Sequence, residues 1–179
     1  MTPNSAIELM DRGWTLRREG KLTEARQDMV EAIGLLRQRD THTDLVTALG
    51  RLGHIAIEEE QWDEAQRLYE EAIAICRNAG DAPGMAHKIR HLGDVYRHTG
   101  RDEESHKCYE ESLALYQSHD DPPALDYANA LRMVALLSED QGQGKRAVQL
   151  WTDAKVLYGT VGVQEGVDEC VSRIAALTG

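Results

Sequence analysis

His87, His91, Asp94 and His98 follow one another at intervals of four, three and four residues. On a helix this spacing sets three imidazoles and a carboxylate along one stripe. Two chemistries suit such a set. Imidazole and carboxylate are zinc ligands, and histidine is the side chain whose charge changes near neutral pH. Metal ligation is the weaker fit. One helix cannot wrap four ligands around an ion, and neighbouring turns supply two or three at most. The His-Glu-x-x-His pattern is missing because Lys88 follows His87, and Lys88 and Arg90 would repel a cation. The sequence therefore implies no metal and no cofactor. It leaves pH-dependent binding around pH 6–7 as the chemical use of the histidines.

Other chemistry finds little support. Gly142–Lys145 reads GQGK, but it lacks the strand before and the Ser or Thr after that a phosphate loop needs. There is no Gly-x-Ser-x-Gly motif, and the many carboxylates sit in helical runs without a partner that would set up acid–base work. No catalytic residue is assigned, and the chain is expected not to be an enzyme. Cys76, Cys108 and Cys170 are odd in number and far apart, which fits three buried thiols and neither a disulfide framework nor a thiolate metal site.

The chain has 179 residues, 41% of them hydrophobic and 28% charged, enough to bury a core as one domain, 1–179. Its formal net charge of -11 excludes a general nucleic-acid binder, which needs a basic footprint, and disfavours a membrane surface. No apolar run approaches the roughly 20 residues of a membrane span, and the first residues lack the basic and apolar regions of a signal peptide. The expected location is the cytoplasm.

The elements that must position these side chains are set by a repeat. Gly13, Gly53, Gly93 and Ala135 are spaced by 40, 40 and 42 residues. Three more columns keep the same steps: Ala25, Ala65, Ser105 and Ala147; Met29, Tyr69, Tyr109 and Trp151; and Ala32, Ala72, Ser112 and Ala154. Within a unit, apolar residues recur every three or four positions in two runs, as in Leu45, Leu49, Leu52 and Ala56, then Ala65, Tyr69, Ala72 and Cys76. Each unit is thus two helices. The short internal links, three of them with glycine, end the first helix. The longer links between units gather Asp, Gly and Pro, with Asp81 or Asp121 placed to cap the next helix. No strand pattern is present. Small residues belong where helices cross closely and a Met or aromatic side chain faces them. Each pair keeps apolar surface that only the next pair can cover, which makes a solenoid. The tail continues the register, with Ala175 lying 40 residues after Ala135, and reads as a capping helix. The units are about 5–40, 43–80, 83–119 and 124–160, with the cap about 163–178. Trp62, in a link, is expected to staple its own turn, and Trp151 to pack in the core.

The pattern Leu92, Gly93, Tyr96, Gly100, Ser105, Tyr109 and Ser112, and its counterpart Gly53, Ala65, Tyr69 and Ala72, resembles the tetratricopeptide repeat. The period of about 40 is similar to the longer variant seen in kinesin light chains and several bacterial regulators. Arg12 and Ser138 depart from the pattern in the two end units. The resemblance implies an all-α, right-handed α-solenoid of four helix pairs plus the C-terminal cap. It also implies a protein–protein interaction scaffold whose first helices line a concave groove.

On that implied geometry the partner-binding groove would hold Trp14, Arg17, Arg51, His54, Ile57, His87, Arg90, His91, Asp94, Arg97, Arg132 and Leu136. Met10, Gly50 and Glu139 are further groove positions, and Ile7, His98 and Met133, with Arg51, His87 and His91, flank them. His87–His98 carries Lys88, Arg90 and Arg97 against Asp94, a net +2 with three histidines besides. The following helix from Asp102 has five acids against Lys107, a net -4. The reading is an adaptor that binds a protein or peptide with an acidic centre and apolar flanks. The alternatives are a structural module dimerising through Ile7, Met10 and Trp14, and a ligand-sensing regulator. A charge run can also be a plain solvated face, with Arg97 paired to an acid of a neighbouring unit. In chaperone adaptors of this family a Lys/Asn/Asn/Lys/Arg set clamps a terminal carboxylate. The matching positions here are Met10, Trp14, His54, Arg90 and Asp94, so a chaperone C-terminus is not the expected ligand.

Overall fold

The computed structural model describes residues 5–38 and 42–179. Positions 39–41, in the link between the first two units, and 1–4, read above for a signal peptide, lie outside it. Every regular element among the described residues is a helix. They are α1 (Ala6–Arg18), α2 (Leu22–Leu36), α3 (His42–Glu58), α4 (Trp62–Ala79), α5 (Ala82–His98), α6 (Asp102–Gln117), α7 (Ala124–Asp140), α8 (Gly144–Thr160) and α9 (Gln164–Thr178). They form an all-α solenoid of four hairpins closed by α9.

The links follow from local chemistry. The turn from first to second helix needs one residue in the left-handed region, and Gly20, Gly100 and Gly142 supply it at φ of 77°, 73° and 69°. The second unit has no glycine there, and Glu60 takes the position at φ 57°. Ser5 opens α1 with a reciprocal capping box to Glu8, and the Asp81 carboxylate caps α5 by accepting from Gly84 N at 2.9 Å. Asp121 does not cap α7. That helix starts after Pro123, whose fixed φ of -55° leads into it without a side-chain cap.

The four columns are packing columns. A Cβ on Gly53 would stand 2.8 Å from Tyr69 Cζ, and one on Gly93 would stand 2.7 Å from Tyr109 Cε1. Ala25, Ala65, Ser105 and Ala147, and likewise Ala32, Ala72, Ser112 and Ala154, are buried where the helices cross. Ser112 keeps its hydroxyl in the core by donating to Ala86 O at 2.8 Å. Trp151 is fully buried in the last hairpin, and the three cysteines are buried free thiols. Trp62 does not staple its own turn. It begins α4 and stacks on His98 of the next unit, with centroids 4.9 Å apart and planes 9° from parallel.

α9 covers α8. Cys170 is buried beneath it, and Gly166 accommodates the Tyr158 ring. α1 packs on α3 and α3 on α5, whereas the second helices pack chiefly on their chain neighbours. Ion pairs such as Arg37–Glu71 and Arg146–Glu110 join successive units on their side at 2.8 and 2.7 Å. First helices therefore converge on the inner side of the stack.

Candidate partner-binding groove

Rings line up across three successive first helices. Trp14 of α1 meets His54 of α3 edge-on at 6.0 Å, and His54 meets His91 of α5 at 4.4 Å. Tyr69, entering from α4 past Gly53, stacks on His91 at 5.5 Å. His87 adds an edge contact to His91 at 4.8 Å. Of the stripe read from the sequence, the fold brings His87, His91 and Asp94 together with His54 and leaves His98 apart on Trp62.

The hydrogen bonds give this cluster a direction. Arg90 Nη2 lies 2.7 Å from His91 Nε2 and must donate, so the His91 proton sits on Nδ1, 3.4 Å from Asp94 Oδ2. His87 Nε2 lies 3.2 Å from the same His91 Nε2 and is the donor of that pair. Its Nδ1 is then free to accept from Lys88 Nζ at 3.2 Å. Tyr109 donates to Asp94 Oδ1 at 2.8 Å. The lone pairs a metal would need are thus turned to the cations of Lys88 and Arg90. Among the described residues no three His, Cys, Asp or Glu side chains are grouped to hold a metal.

This wiring overturns titration near pH 6–7. Burial, first of all, pushes His54 down to about 3, His87 to about 2 and His91 to about 4. Lys88 and Arg90 nearby add to the effect. All three are neutral at physiological pH.

Most groove cations are shared with the fold. Arg17 pairs with Glu58, and Arg51 donates to Met10 O at 3.0 Å and lies 3.3 Å from Asp11. Their guanidiniums flank the Trp14 ring at 4.4 and 5.4 Å. Arg90 lies 3.4 Å from Asp94, and Arg132 makes a two-pronged pair with Glu169 of α9 at 2.7 and 3.0 Å. Ile57 is half-buried on α3. Arg97 is exposed at the rim of a cleft of about 360 Å³ floored by Met133, Leu136 and Tyr109. The Ile7–Met10–Trp14 stripe is broken, because Met10 is buried in the core and Trp14 is half-covered.

Three participants escaped the reading of the sequence. The sequence shows Lys88 only as a charge, yet its Nζ reaches over Gly50 of α3, where a Cβ would stand 2.8 Å away. Asp126 of α7 lies 3.7 Å from His87. Tyr69 had been placed only in the packing column. The one available signal was Gly50, a missing side chain at a groove position.

The fold and this inner stripe define a helical-repeat scaffold. The tetratricopeptide repeat family model matches residues 5–78 and 44–118, and the chain belongs to that family. No curated protein sequence matches it. Among solved structures it is similar to BtubC (BKLC) from P. vanneervenii, at 17% identity and a TM-score of 0.64 over 90% of this chain and 75% of that one. It is also similar to a putative kinesin light chain with nearly identical repeats from P. anserina, at 15% identity and a TM-score of 0.66 over 95% and 92%. Aspartyl phosphate phosphatase F from Bacillus subtilis superposes with a TM-score of 0.83 at 10% identity, the chain covering 97% of itself and 45% of that protein. At such identities the likeness shows the fold. No helix among the described residues is long and apolar enough to cross a membrane.

Proposed function

We propose that the chain is a non-catalytic adaptor whose inner face binds an extended or helical segment of another protein, acidic at its centre and apolar at its ends. The observation that carries this reading is the continuous stripe from Trp14 through His54 to His91, which joins three repeats into one surface. Arg97 and the cleft beside Leu136 extend the surface toward the fourth unit. A surface built from several units suits a polypeptide, which touches successive repeats with successive side chains. The half-buried His54 ring, neutral at physiological pH, offers such a partner a ring edge.

Selection of random displayed peptides on the immobilised protein tests this. Enriched peptides should carry Asp or Glu between apolar residues, and they should lose binding to Trp14→Ala and to Arg97→Glu. Failure to enrich any peptide, or equal binding to both variants, would remove the groove reading.

A further inference from the structure

Lys88 is 8% exposed, and no carboxylate lies within 4 Å of its ammonium among the described residues. Its one hydrogen-bond partner is the neutral His87 ring at 3.2 Å. Arg17, Arg51, Arg90 and Arg132 each have an acid at hand and Arg97 is exposed to solvent, so among the described residues Lys88 is the buried groove cation without one. A buried charge without a counter-ion is costly, and burial holds the Lys88 pKa below its usual value.

A second, independent observation lies beside it. Tyr69 is fully buried and its hydroxyl has no hydrogen-bond partner. The Nε of Arg17 and the Nε of Arg90 are likewise buried without one. Two of these groups, Tyr69 and Arg90, contact His91, which is joined through His87 to the Lys88 ammonium. Donors in surplus call for an acceptor that brings negative charge. The Lys88 ammonium lies over Gly50, where a Cβ would stand 2.8 Å from it.

We propose that Lys88, with Arg90 and Tyr69, forms a recognition subsite over Gly50 for the carboxylate of an acidic residue in the bound polypeptide. It deepens the adaptor reading and rests on it. It is distinct from the chaperone-type clamp, whose positions do not include residue 88. Asp94 already engages Arg90, Asp81 caps α5, and Asp126 stands at the far side of His87, so Asp81 and Asp126 act on Lys88 only through space and none pairs with it directly. The incoming carboxylate would take the ammonium as its main partner. The anionic form of a Glu or Asp side chain is the favoured ligand, because a carboxylate accepts from the ammonium and carries the charge that offsets it.

The test is a titration of the full chain followed by NMR at the Lys88 side chain and the His54 ring, with Trp14 and Leu136 read as reporters elsewhere in the groove. The probes are acetyl-Ala-Glu-Ala-amide, its Gln isostere, a tripeptide whose carboxylate is terminal only, and inorganic phosphate. The Glu peptide should shift both signals saturably, the isostere should not, and Lys88→Met should weaken binding by about tenfold. Gly50→Ala, which crowds the ammonium while removing no charge, should also weaken it, with helix content checked by circular dichroism. Preference for the terminal carboxylate or for phosphate would overturn the side-chain assignment. Equal binding of the Gln isostere, or undiminished binding to Lys88→Met, would overturn the subsite. Shifts confined to Trp14 and Leu136 would leave the groove in use and sink only this subsite, whereas no shift anywhere in the groove would sink both.

Discussion

The Tyr69 ring occupies the space that a side chain at Gly53 would need, with Cζ 2.8 Å from the position of a Cβ. This contact closes the second hairpin and at the same time aims Tyr69 at His91. Replacing Gly53 by Leu should cost at least about 1–3 kcal/mol through overpacking, and Ala65→Leu the same. Chemical denaturation measures both, and unchanged midpoints would refute the packing scheme.

Glu60 holds a left-handed backbone conformation that its Cβ disfavours. Gly20, Gly100 and Gly142 fill the same place in the other units without that strain. Glu60→Gly should therefore raise stability by about 0.5–1 kcal/mol, the relief of strain exceeding the extra entropy of the unfolded glycine. A lower melting temperature for this variant would contradict the assignment.

The pH dependence has a definite sign. His54, His87 and His91 have folded pKa values pushed down to about 3, 2 and 4, so below about pH 6.5 the unfolded chain binds more protons than the folded one. The stability they allow is complete above that pH and is lost progressively as pH falls from about 6.5 through the folded values of about 4, 3 and 2. Each contributes a slope of up to about 1.4 kcal/mol per pH unit. Denaturation midpoints should be level between pH 7 and 8 and drop on acidification, and His54→Gln with His87→Gln should flatten the drop. A partner that binds the groove should do so equally at pH 6 and 7.5.

Cys76 and Cys108 are buried, and burial raises both thiols to about 11. Both should react with a thiol reagent at neutral pH only at the rate of local opening, and fully once denatured. Rapid labelling of the native chain would show the hairpins to be looser than described.

The fold was legible because each close crossing demands a small residue and each small residue recurs with its large partner. Gly53 with Tyr69 and Gly93 with Tyr109 repeat the same contact one unit apart. The site was legible in position more than in chemistry. Periodicity put Arg17, Arg51, Arg90 and Arg132 on the inner helices, but it carried no information about acids from other units. Glu58 and Glu169 claim two of these guanidiniums from 41 and 37 residues away. Helical spacing likewise grouped His98 with His91, while Trp62, from the preceding unit, drew His98 to the rim. The depressed histidine pKa values follow from burial between units, which no single stretch of chain encodes.

Arg17–Glu58 ties α1 to α3, and Arg132–Glu169 ties α7 to α9. Polar tethers thus run along the inner edge of the spiral, like laces drawn across successive turns. Tethers that depend on charge slacken as ionic strength rises. The spiral should uncoil slightly in concentrated salt, opening its hollow to thicker occupants while its hairpins stay intact.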